Sequence, residues 1–399
     1  MTNPKRCRGS ISGISLQAAH AALALVVLVV AIVATQPAEA QTFTVLHSFT
    51  GYTGYPTDGA RPEAVLVQDA AGNLYGTTYS GGTHNEGTVF EVSATGKETL
   101  LHSFGYSDGA FPYAGLIRDG AGNLYGTTYY GGSSGYGIVF KLSKTGKETV
   151  LHNFTGSSSH DGAYPRAGVI LDAQGNLCGT TYQGGLGYGT VFKVSKAGKE
   201  TVLHSFAGGP SDGEFPYGGL VQDAAGNLYG TTYYGGNYEN GTVFKANESG
   251  VTVLYNFTGS PDGQWPYGGL IRDRAGDLYG TTYKGGTYDE GTVFELSKAG
   301  KETVLHSFTY SDGAFPYAGL IRDTAGNFYG TTSKGGSFAI GTVFELSGSG
   351  KETVLYNFVP GGPGEYPIGG VIRDAQGNLY GTTSKSTNGD YGTVWKLTP

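Results

Sequence analysis

Short runs in which apolar and polar residues alternate recur along the chain, and residues typical of turns separate them. Such runs predict half-buried β-strands, because successive side chains of a strand point to opposite faces. In the segment 113–154, four strands are predicted at residues 115–118, 123–128, 138–142 and 149–154. No helical period competes with this pattern, and the connections are short enough for hairpins. We therefore predict a four-stranded antiparallel meander.

The same unit occurs seven times. The sequence Tyr-Gly-Thr-Thr or a near copy recurs every 50 to 53 residues, starting at Tyr75, Tyr125, Cys178, Tyr229, Tyr279, Tyr329 and Tyr380. A period of this size is the signature of a repeat architecture. Seven four-stranded antiparallel units predict an all-β fold, a seven-bladed β-propeller.

The two ends of the repeat region are complementary fragments. Residues 43–49 resemble the fourth strand of a unit without the preceding three, and residues 392–397 resemble a third strand without a fourth. We expect the N-terminal strand to complete the last blade and to close the ring. An open solenoid, the alternative fold, would use capping repeats and has no need of such fragments.

The first 40 residues are predicted to be a secretory signal peptide. Lys5, Arg6 and Arg8 precede an apolar core at 21–33, and Ala38-Glu39-Ala40 is a typical cleavage site. The apolar core is shorter than the roughly 20 residues that span a membrane, although an uncleaved anchor is the alternative. We expect cleavage near Ala40, secretion to the periplasm or the exterior, and one propeller domain at residues 41–399.

Composition narrows the function classes. Charged residues make up 14% of the chain and the formal net charge is −7, whereas glycine (71) and tyrosine (30) are abundant. A mildly acidic chain is unsuited to nucleic acid, which is bound through clustered Lys and Arg. Cys178 is the single cysteine after the predicted cleavage, so no intrachain disulfide is expected. We expect a monomer without a membrane span in the mature chain.

The motifs D-x-x-G-N-L-Y-G-T-T, G-G, G-T-V-F and G-K-E-T-V-L-H-S-F together resemble the GloVer tandem repeat over about residues 41–399. That resemblance implies a secreted bacterial protein, and it implies no established activity. Members carry varied C-terminal anchors, but this chain ends at Thr398-Pro399 without an apolar tail, so an anchor of that kind is not expected. The layout is also similar to kelch and NHL-type blades, which implies blade topology only.

Two sets of loops are predicted to share one face of the ring: the loops that enter each blade and the loops between the second and third strands. Five entry loops carry Asp-Gly-x-aromatic-Pro, blade one has Arg61 in place of the aromatic residue, and the last loop lacks the aspartate. The loops between the second and third strands are rich in Gly-Gly and tyrosine, while lysines collect on the opposite face. The predicted ligand contacts are Asp108, Tyr130, Asp161, Asp212, Tyr234, Asp262, Trp265 and Asp312.

Tyrosine rings beside carboxylates are typical of surfaces that bind carbohydrate, because flat rings pack on sugar faces and carboxylates accept hydroxyl hydrogens. We therefore expect a polysaccharide, another extracellular polymer or a surface protein as the partner. The structural alternative stays open: Asp-Gly is an ordinary turn pair, and tyrosines serve as spacers between blades.

The sequence supports a metal site or a catalytic site less strongly than it supports a binding surface. Each entry loop offers one aspartate, which is not the closely spaced carboxylate pattern of a calcium loop, so no cofactor or metal is expected. Five histidines at one repeat position on the fourth, outermost strand, exchanged for Tyr255 and Tyr356 elsewhere, are expected to have an amphipathic packing role: His47, His102, His152, His204 and His306. The alternative functions are a hydrolase or lactonase at the channel mouth, using Arg61, Glu63 and Arg166, and a purely structural envelope protein.

Overall fold

The computed structural model describes residues 1, 41–51, 58–386 and 391–399. Apart from Met1, the predicted secretory signal lies outside the described residues. The segment Thr42–Thr398 forms one compact unit, which contains seven four-stranded sheets joined by antiparallel ladders. This confirms the predicted seven-bladed propeller. Within the described ranges, no helix has the length and apolar character needed to cross a membrane.

We name the strands of each blade A to D, from the central channel outward. The A strands are Val67–Gln68, Ile117–Arg118, Ile170–Leu171, Val221–Gln222, Ile271–Arg272, Ile321–Arg322 and Ile372–Arg373. The B strands are Leu74–Thr78, Leu124–Thr128, Leu177–Thr181, Leu228–Thr232, Leu278–Thr282, Phe328–Thr332 and Leu379–Thr383. The C strands are Thr88–Val92, Ile138–Leu142, Thr190–Val194, Thr242–Asn247, Thr292–Leu296, Thr342–Leu346 and Thr393–Thr398. The D strands are Glu98–Ser103, Glu148–Asn153, Glu200–Ser205, Gly250–Asn256, Glu302–Ser307, Glu352–Asn357 and, for blade seven, Thr42–Ser48.

Shorter elements lie in the loops. Three two-residue ladders pair an entry loop with the B–C loop of the same blade: Gly162–Ala163 with Gln183–Gly184, Gly213–Glu214 with Tyr234–Gly235, and Gly263–Gln264 with Lys284–Gly285. A single-turn 3₁₀ helix covers Ser157–Ser159. In blade two, the corresponding contact is a bridge between Ala110 and Tyr130. Entry and B–C loops therefore share one face of the ring, as predicted, and we call it the entry face.

Strand A is shorter than predicted in the segment 113–154. It covers Ile117–Arg118, whereas the sequence predicted residues 115–118. The reason is close approach between neighbouring blades: a Cβ atom at Gly115 would lie 2.6 Å from the backbone oxygen of Val65. The residues just before strand A therefore pack against the preceding blade instead of pairing within their own.

The N-terminal strand closes the ring as predicted. Thr42–Ser48 pairs antiparallel with Thr393–Thr398, in a register that joins Thr42 to Thr398 and Ser48 to Thr393. The sheet order of blade seven is therefore the N-terminal strand followed by C, B and A. This closure leaves no open blade edge between the first and last repeats.

The apolar core lies between the blades. The phenylalanine that follows each D strand meets a phenylalanine of the next blade's C strand edge to face, as in Phe104–Phe140, with ring centroids 5.2 Å apart. Between blades six and seven the partner is a tryptophan: Phe358 meets Trp395 at 6.0 Å, and both are fully buried. Edge-to-face contacts are favourable because the positive edge of one ring meets the negative face of the other. These contacts join neighbouring blades, so each blade is stabilised by packing on the next.

The first threonine of Tyr-Gly-Thr-Thr links each blade to the next. Its buried hydroxyl donates to a backbone carbonyl just before the neighbouring A strand, as from Thr77 to Ala114 at 3.0 Å. The seventh link runs from Thr382 to Ala64 at 3.2 Å and joins the last blade to the first. A buried hydroxyl requires such a partner, which explains the threonine at this position of the motif.

The entry loops hold a strained conformation that directs side chains into the channel. The residue before the proline of each loop has a φ between 54° and 58°, which costs a non-glycine residue roughly 1–2 kcal/mol. In six of these loops its N–H donates to a carbonyl of the preceding blade, as from Phe111 to Glu86 at 2.7 Å. That hydrogen bond offsets the strain, and the residue after the proline is placed at the channel.

Candidate functional site at the channel mouth

The channel opens at the entry face into a cavity of ≈ 660 Å³, which we call the mouth cavity. All seven blades line it with the residues around the start of strand A. The position directly after the entry-loop proline is occupied by Glu63, Tyr113, Arg166, Tyr217, Tyr267, Tyr317 and Ile368. The position therefore holds four tyrosines, three of them in consecutive blades, and three residues that occur once each.

A second row of tyrosines supports the first. These residues follow Tyr-Gly-Thr-Thr, and the second row is Tyr79, Tyr129, Tyr182, Tyr233 and Tyr283. Contacts run along the first row, for example Tyr217–Tyr267 at 4.7 Å and Tyr267–Tyr317 at 4.8 Å between ring centroids. Others join the first row to the second, as in Tyr233–Tyr267 at 4.6 Å. The same position holds Ser333 and Ser384 in blades six and seven. We call the tyrosines of the two rows together the aromatic arc. This arc is therefore interrupted on one side of the ring.

Arg166 is enclosed by four tyrosines contributed by three blades. Its guanidinium carbon lies 4.6 to 4.9 Å from the ring centroids of Tyr113, Tyr129, Tyr182 and Tyr217. Its Nη2 donates a long hydrogen bond of 3.5 Å to the hydroxyl of Tyr129, while its buried Nε has no partner. The ring faces stabilise the cation, but most of its N–H donors are left for the cavity.

Arg61 and Glu63 form an ion pair in blade one. Nη2 of Arg61 donates to Oε1 of Glu63 at 2.6 Å, and the side chains are 46% and 7% exposed respectively. Arg61 also lies over Tyr79, 4.7 Å from its ring centroid. Burial raises the pKa of the Glu63 carboxyl, while Arg61 and Arg166 oppose the shift. Arg61, Glu63 and Arg166 therefore share the mouth cavity.

The predicted aspartate contacts lie at the outer joints between blades, outside the lining of the mouth cavity. Each entry-loop aspartate contacts the histidine or tyrosine near the end of the preceding D strand. Histidine Nε2 lies 3.0 to 3.3 Å from an aspartate oxygen at His47–Asp58, His102–Asp108, His152–Asp161, His204–Asp212 and His306–Asp312. In the remaining such joint, Tyr255 donates to Asp262 at 2.8 Å.

The same aspartates also accept backbone hydrogen bonds. Asp161, for example, accepts from the N–H of Thr155 at 2.8 Å and from that of Gly162 at 2.6 Å. These bonds hold the entry loop closed, and they lower the pKa of Asp161 despite its burial, together with the pairing to His152. The carboxylate oxygens are thus engaged within the protein.

Tyr130, Tyr234 and Trp265 lie on the entry face but outside the lining of the mouth cavity. Tyr130 packs edge to face on Tyr129 at 4.6 Å. Tyr234 does the same on Tyr233 at 4.1 Å, and Trp265 contacts both of these tyrosines at 5.8 to 5.9 Å. The three predicted aromatic contacts therefore support the second row from outside.

One outer joint brings three metal-ligating groups together. Ligand atoms of His152, Asp161 and Glu200 lie within 4.8 Å of one another. Burial raises the pKa of Glu200 to about 7, with a smaller contribution from the charge of Asp161. Because His152 and Asp161 already pair with each other and Asp161 also accepts backbone hydrogen bonds, the arrangement is that of a structural contact.

Arg61, Glu63 and Arg166 are predicted from the sequence to lie near the channel, and the structure brings all three to the mouth cavity. The tyrosines of the two rows do not stand out in the sequence, because tyrosines at repeat positions are equally expected as spacers between blades. Aligning the seven repeats at the residue after the proline would have revealed them, with Glu63, Arg166 and Ile368 as exceptions.

Comparisons with known proteins agree with the fold. A profile of the Gloeobacter/Verrucomicrobia repeat matches residues 31–187 and 171–395. Comparison with curated protein sequences finds no match.

Three solved structures are similar. A 6-phosphogluconolactonase-like protein of Bacteroides uniformis has a TM-score of 0.52 at 17% identity, covering 79% of this chain and 89% of that one. One of Bacteroides fragilis has a TM-score of 0.51 at 15% identity, covering 85% and 100%. Puromycin hydrolase has a TM-score of 0.53 at 12% identity, covering 86% and 53%. At these identities the likeness shows the fold alone.

Proposed function

This chain belongs to the Gloeobacter/Verrucomicrobia repeat family, and from that premise we propose that it is a secreted module that binds carbohydrate, with the mouth cavity as its principal site. The observation that carries the proposal is the arc of tyrosines around a cavity of ≈ 660 Å³. Small-molecule sites are typically concave, roughly 300–1,000 Å³ in volume, and lined by apolar and aromatic groups with a few polar ones. The mouth cavity has each of these properties.

The protonation state of the arc suits sugar hydroxyls. Burial raises the pKa of Tyr113, Tyr217, Tyr267 and Tyr317 above its ordinary value, so their hydroxyls stay neutral at physiological pH. A neutral phenol both donates and accepts hydrogen bonds, while its ring offers an apolar face. A saccharide presents the matching mixture of hydroxyl groups and apolar ring faces.

A larger ligand would extend across the entry face. The predicted aromatic contacts Tyr130, Tyr234 and Trp265 are partly exposed there, next to the second row. We propose an extracellular polysaccharide as the ligand class, with one unit in the mouth cavity and flanking units on these side chains. A glycosylated surface protein could present the same chemistry.

The first experiment is a glycan array with the purified protein, followed by calorimetric titration of the hits. Tyr267→Ala removes a ring at the centre of the arc and is expected to weaken binding at least about tenfold, a loss of ~1.4 kcal/mol. Tyr238→Ala is the matched control, because this tyrosine is 57% exposed and lies outside the cavity lining. Equal binding by both variants, or an array without hits from folded protein, would refute the proposal.

A second candidate function is hydrolysis of a lactone or ester in the same cavity. The observation that favours it is Glu63, a buried carboxyl whose pKa is raised by desolvation while Arg61 touches it. A carboxylate with a pKa closer to neutrality is a more effective general base. It would take a proton from water as the water oxygen attacks the carbonyl, the arginines would stabilise the oxyanion, and the departing ring oxygen would receive that proton.

An activity screen on aldonolactones and simple esters separates the two functions. Glu63→Gln is expected to abolish turnover, since the amide cannot accept the proton, and to leave the fold intact. The control is Glu214→Gln, at an entry-loop glutamate outside the mouth cavity lining. Turnover that survives in Glu63→Gln excludes this mechanism, and blanks in both screens would leave the structural envelope role.

A further inference from the structure

The unused hydrogen-bond donors of Arg166 indicate the charge of the ligand. We propose that the saccharide is anionic, a chain containing uronic acid, and that its carboxylate is bound by Arg166; this rests on the proposed function. The first step is an inventory of donors. A guanidinium has five N–H donors and no acceptor, and Arg166 uses one of them, in the 3.5 Å bond to Tyr129.

The remaining donors make no hydrogen bond to a described residue of the protein. Nε of Arg166 is buried without a hydrogen-bond partner, and no carboxylate of the described ranges forms an ion pair with this side chain. The four tyrosine faces attract the positive charge. They cannot replace oxygen acceptors in the guanidinium plane, so the unmet requirement is for hydrogen-bond acceptors.

The charge of the whole cavity favours the same ligand. Among the residues that line it, Arg61, Glu63 and Arg166 are the charged ones. Glu63 is already bonded to Arg61, which leaves Arg166 as an uncompensated cation in a lining of tyrosine, glycine and aliphatic residues. A desolvated charge is costly without a partner of opposite sign, and an anionic ligand supplies that partner.

A carboxylate matches this site better than a point charge. Arginine and carboxylate form two parallel N–H···O bonds in one plane, and the tyrosines restrict the guanidinium to a fixed orientation. In a uronic acid the carboxylate is attached directly to the sugar ring. Binding of the carboxylate at Arg166 therefore brings that ring next to the tyrosine arc, where apolar faces are available.

The test is calorimetric titration with oligogalacturonate and oligoglucuronate, each compared with its carboxyl-reduced neutral counterpart and with a sulfated oligosaccharide. We expect a uronate to bind at least about tenfold more tightly than its neutral counterpart, and this preference to decrease with salt because the attraction is electrostatic. Arg166→Gln should remove the preference while weak binding remains. Arg166→Lys, which keeps the charge without the planar fork, should retain part of it.

Arg274→Gln, a change at an exposed arginine outside the cavity lining, is the control and should bind as the unmodified protein does. Equal affinity for uronate and neutral saccharide would overturn this inference and leave the proposed function standing. Binding of no saccharide at all would overturn both. Preference for the sulfated chain would overturn the carboxylate assignment. If Arg166→Gln does not fold, the inference is still tested on the unmodified protein, by comparing its affinity for uronate with that for the neutral saccharide and by the salt dependence of this difference.

Discussion

The outer joints between blades and the mouth cavity use similar side chains, but they differ in symmetry. At the joints, a carboxylate oxygen lies 2.8 to 3.3 Å from a histidine nitrogen or a tyrosine hydroxyl six times around the ring. At the mouth, repeated tyrosines are interrupted by Glu63, Arg166 and Ile368, which occur once each. Groups repeated in every blade hold the ring together, whereas groups that break the repeat can create a specific site.

The exception among the joints supports this distinction. Between blades six and seven, Pro363 stands where the other entry loops have aspartate, and Phe43 stands where most D strands have glutamate. Tyr356 there stacks on Phe43 with ring centroids 4.1 Å apart and planes inclined by 8°. The polar set has thus been exchanged as a whole for an aromatic pair, as expected for a unit with a packing role.

The largest effect on stability is expected from Asp161→Ala, a substitution at one of the outer joints. The variant removes the acceptor for His152, Thr155 and the backbone of Gly162, at a cost of roughly 2–4 kcal/mol. We expect Tm to fall by roughly 5–10 °C while saccharide affinity stays unchanged. Thermal unfolding and titration of one sample measure both.

The control for this variant is Glu248→Ala. Its carboxylate is 86% exposed and pairs with Lys193, and a pair of that kind contributes at most about 1 kcal/mol. If Asp161→Ala changed affinity but not Tm, the division between structural joints and functional mouth would be wrong.

The joints also predict how stability depends on pH. Burial raises the pKa of five glutamates at the start of D strands to about 7 from 4.5, namely Glu98, Glu148, Glu200, Glu302 and Glu352. Between pH 4.5 and 7 the folded protein holds protons that the unfolded chain has released. Stability therefore falls as pH rises through this window and levels off above it.

Neighbouring groups modify this profile. The lowered pKa of Asp161 contributes stability that is lost only below about pH 3.8, outside the window. Burial lowers the pKa of His102 from 6.5, so its contribution rises with pH and opposes the glutamates in part. Because the glutamates are half-buried and screened by solvent, we expect Tm to fall on the order of 5 °C from pH 5 to pH 8.

Glu200→Gln should make this pH dependence less steep, because the amide does not ionise, and it should raise Tm at pH 8. Thermal scans across the pH range measure both effects. A Tm that rises steadily from pH 5 to pH 8 would contradict the assigned protonation of the joints.

The smallest effect is expected from His152→Tyr. Tyr255 shows that a tyrosine at this position reaches the entry-loop aspartate, at 2.8 Å from Asp262, so stability should change by less than about 1 kcal/mol. His152→Phe, which cannot donate to Asp161, should cost more. Equal denaturation midpoints for the two variants would show that packing, and not the polar contact, holds the joint.

Most of the fold could be predicted from the sequence because each blade is built from local hairpins. Strand C of blade two, Ile138–Leu142, has the predicted bounds, and the turns are marked by glycine. The short A strands could not be predicted, since they end where a neighbouring blade approaches Gly115. That approach depends on closure of the ring.

The site was less accessible to sequence reasoning. Arg61, Glu63 and Arg166 stand out because they depart from the repeat, but the tyrosines that enclose Arg166 come from three blades and converge only in the folded ring. The histidine–aspartate contact is indicated in the sequence at one joint. There, Tyr356 replaces the histidine and the following entry loop lacks the aspartate. Comparison of the repeats with one another would have revealed it.

The pairing of Thr42 with Thr398 has a mechanical consequence. The two strands that close the ring run antiparallel, so the ends of the propeller lie side by side at the same end of one ladder. A force that pulls these ends apart would open the ladder one hydrogen bond at a time, in the manner of a zipper, instead of loading all of its bonds together in shear. The propeller should therefore unfold at a far lower force when it is pulled by its two ends than when it is pulled between two points on different blades.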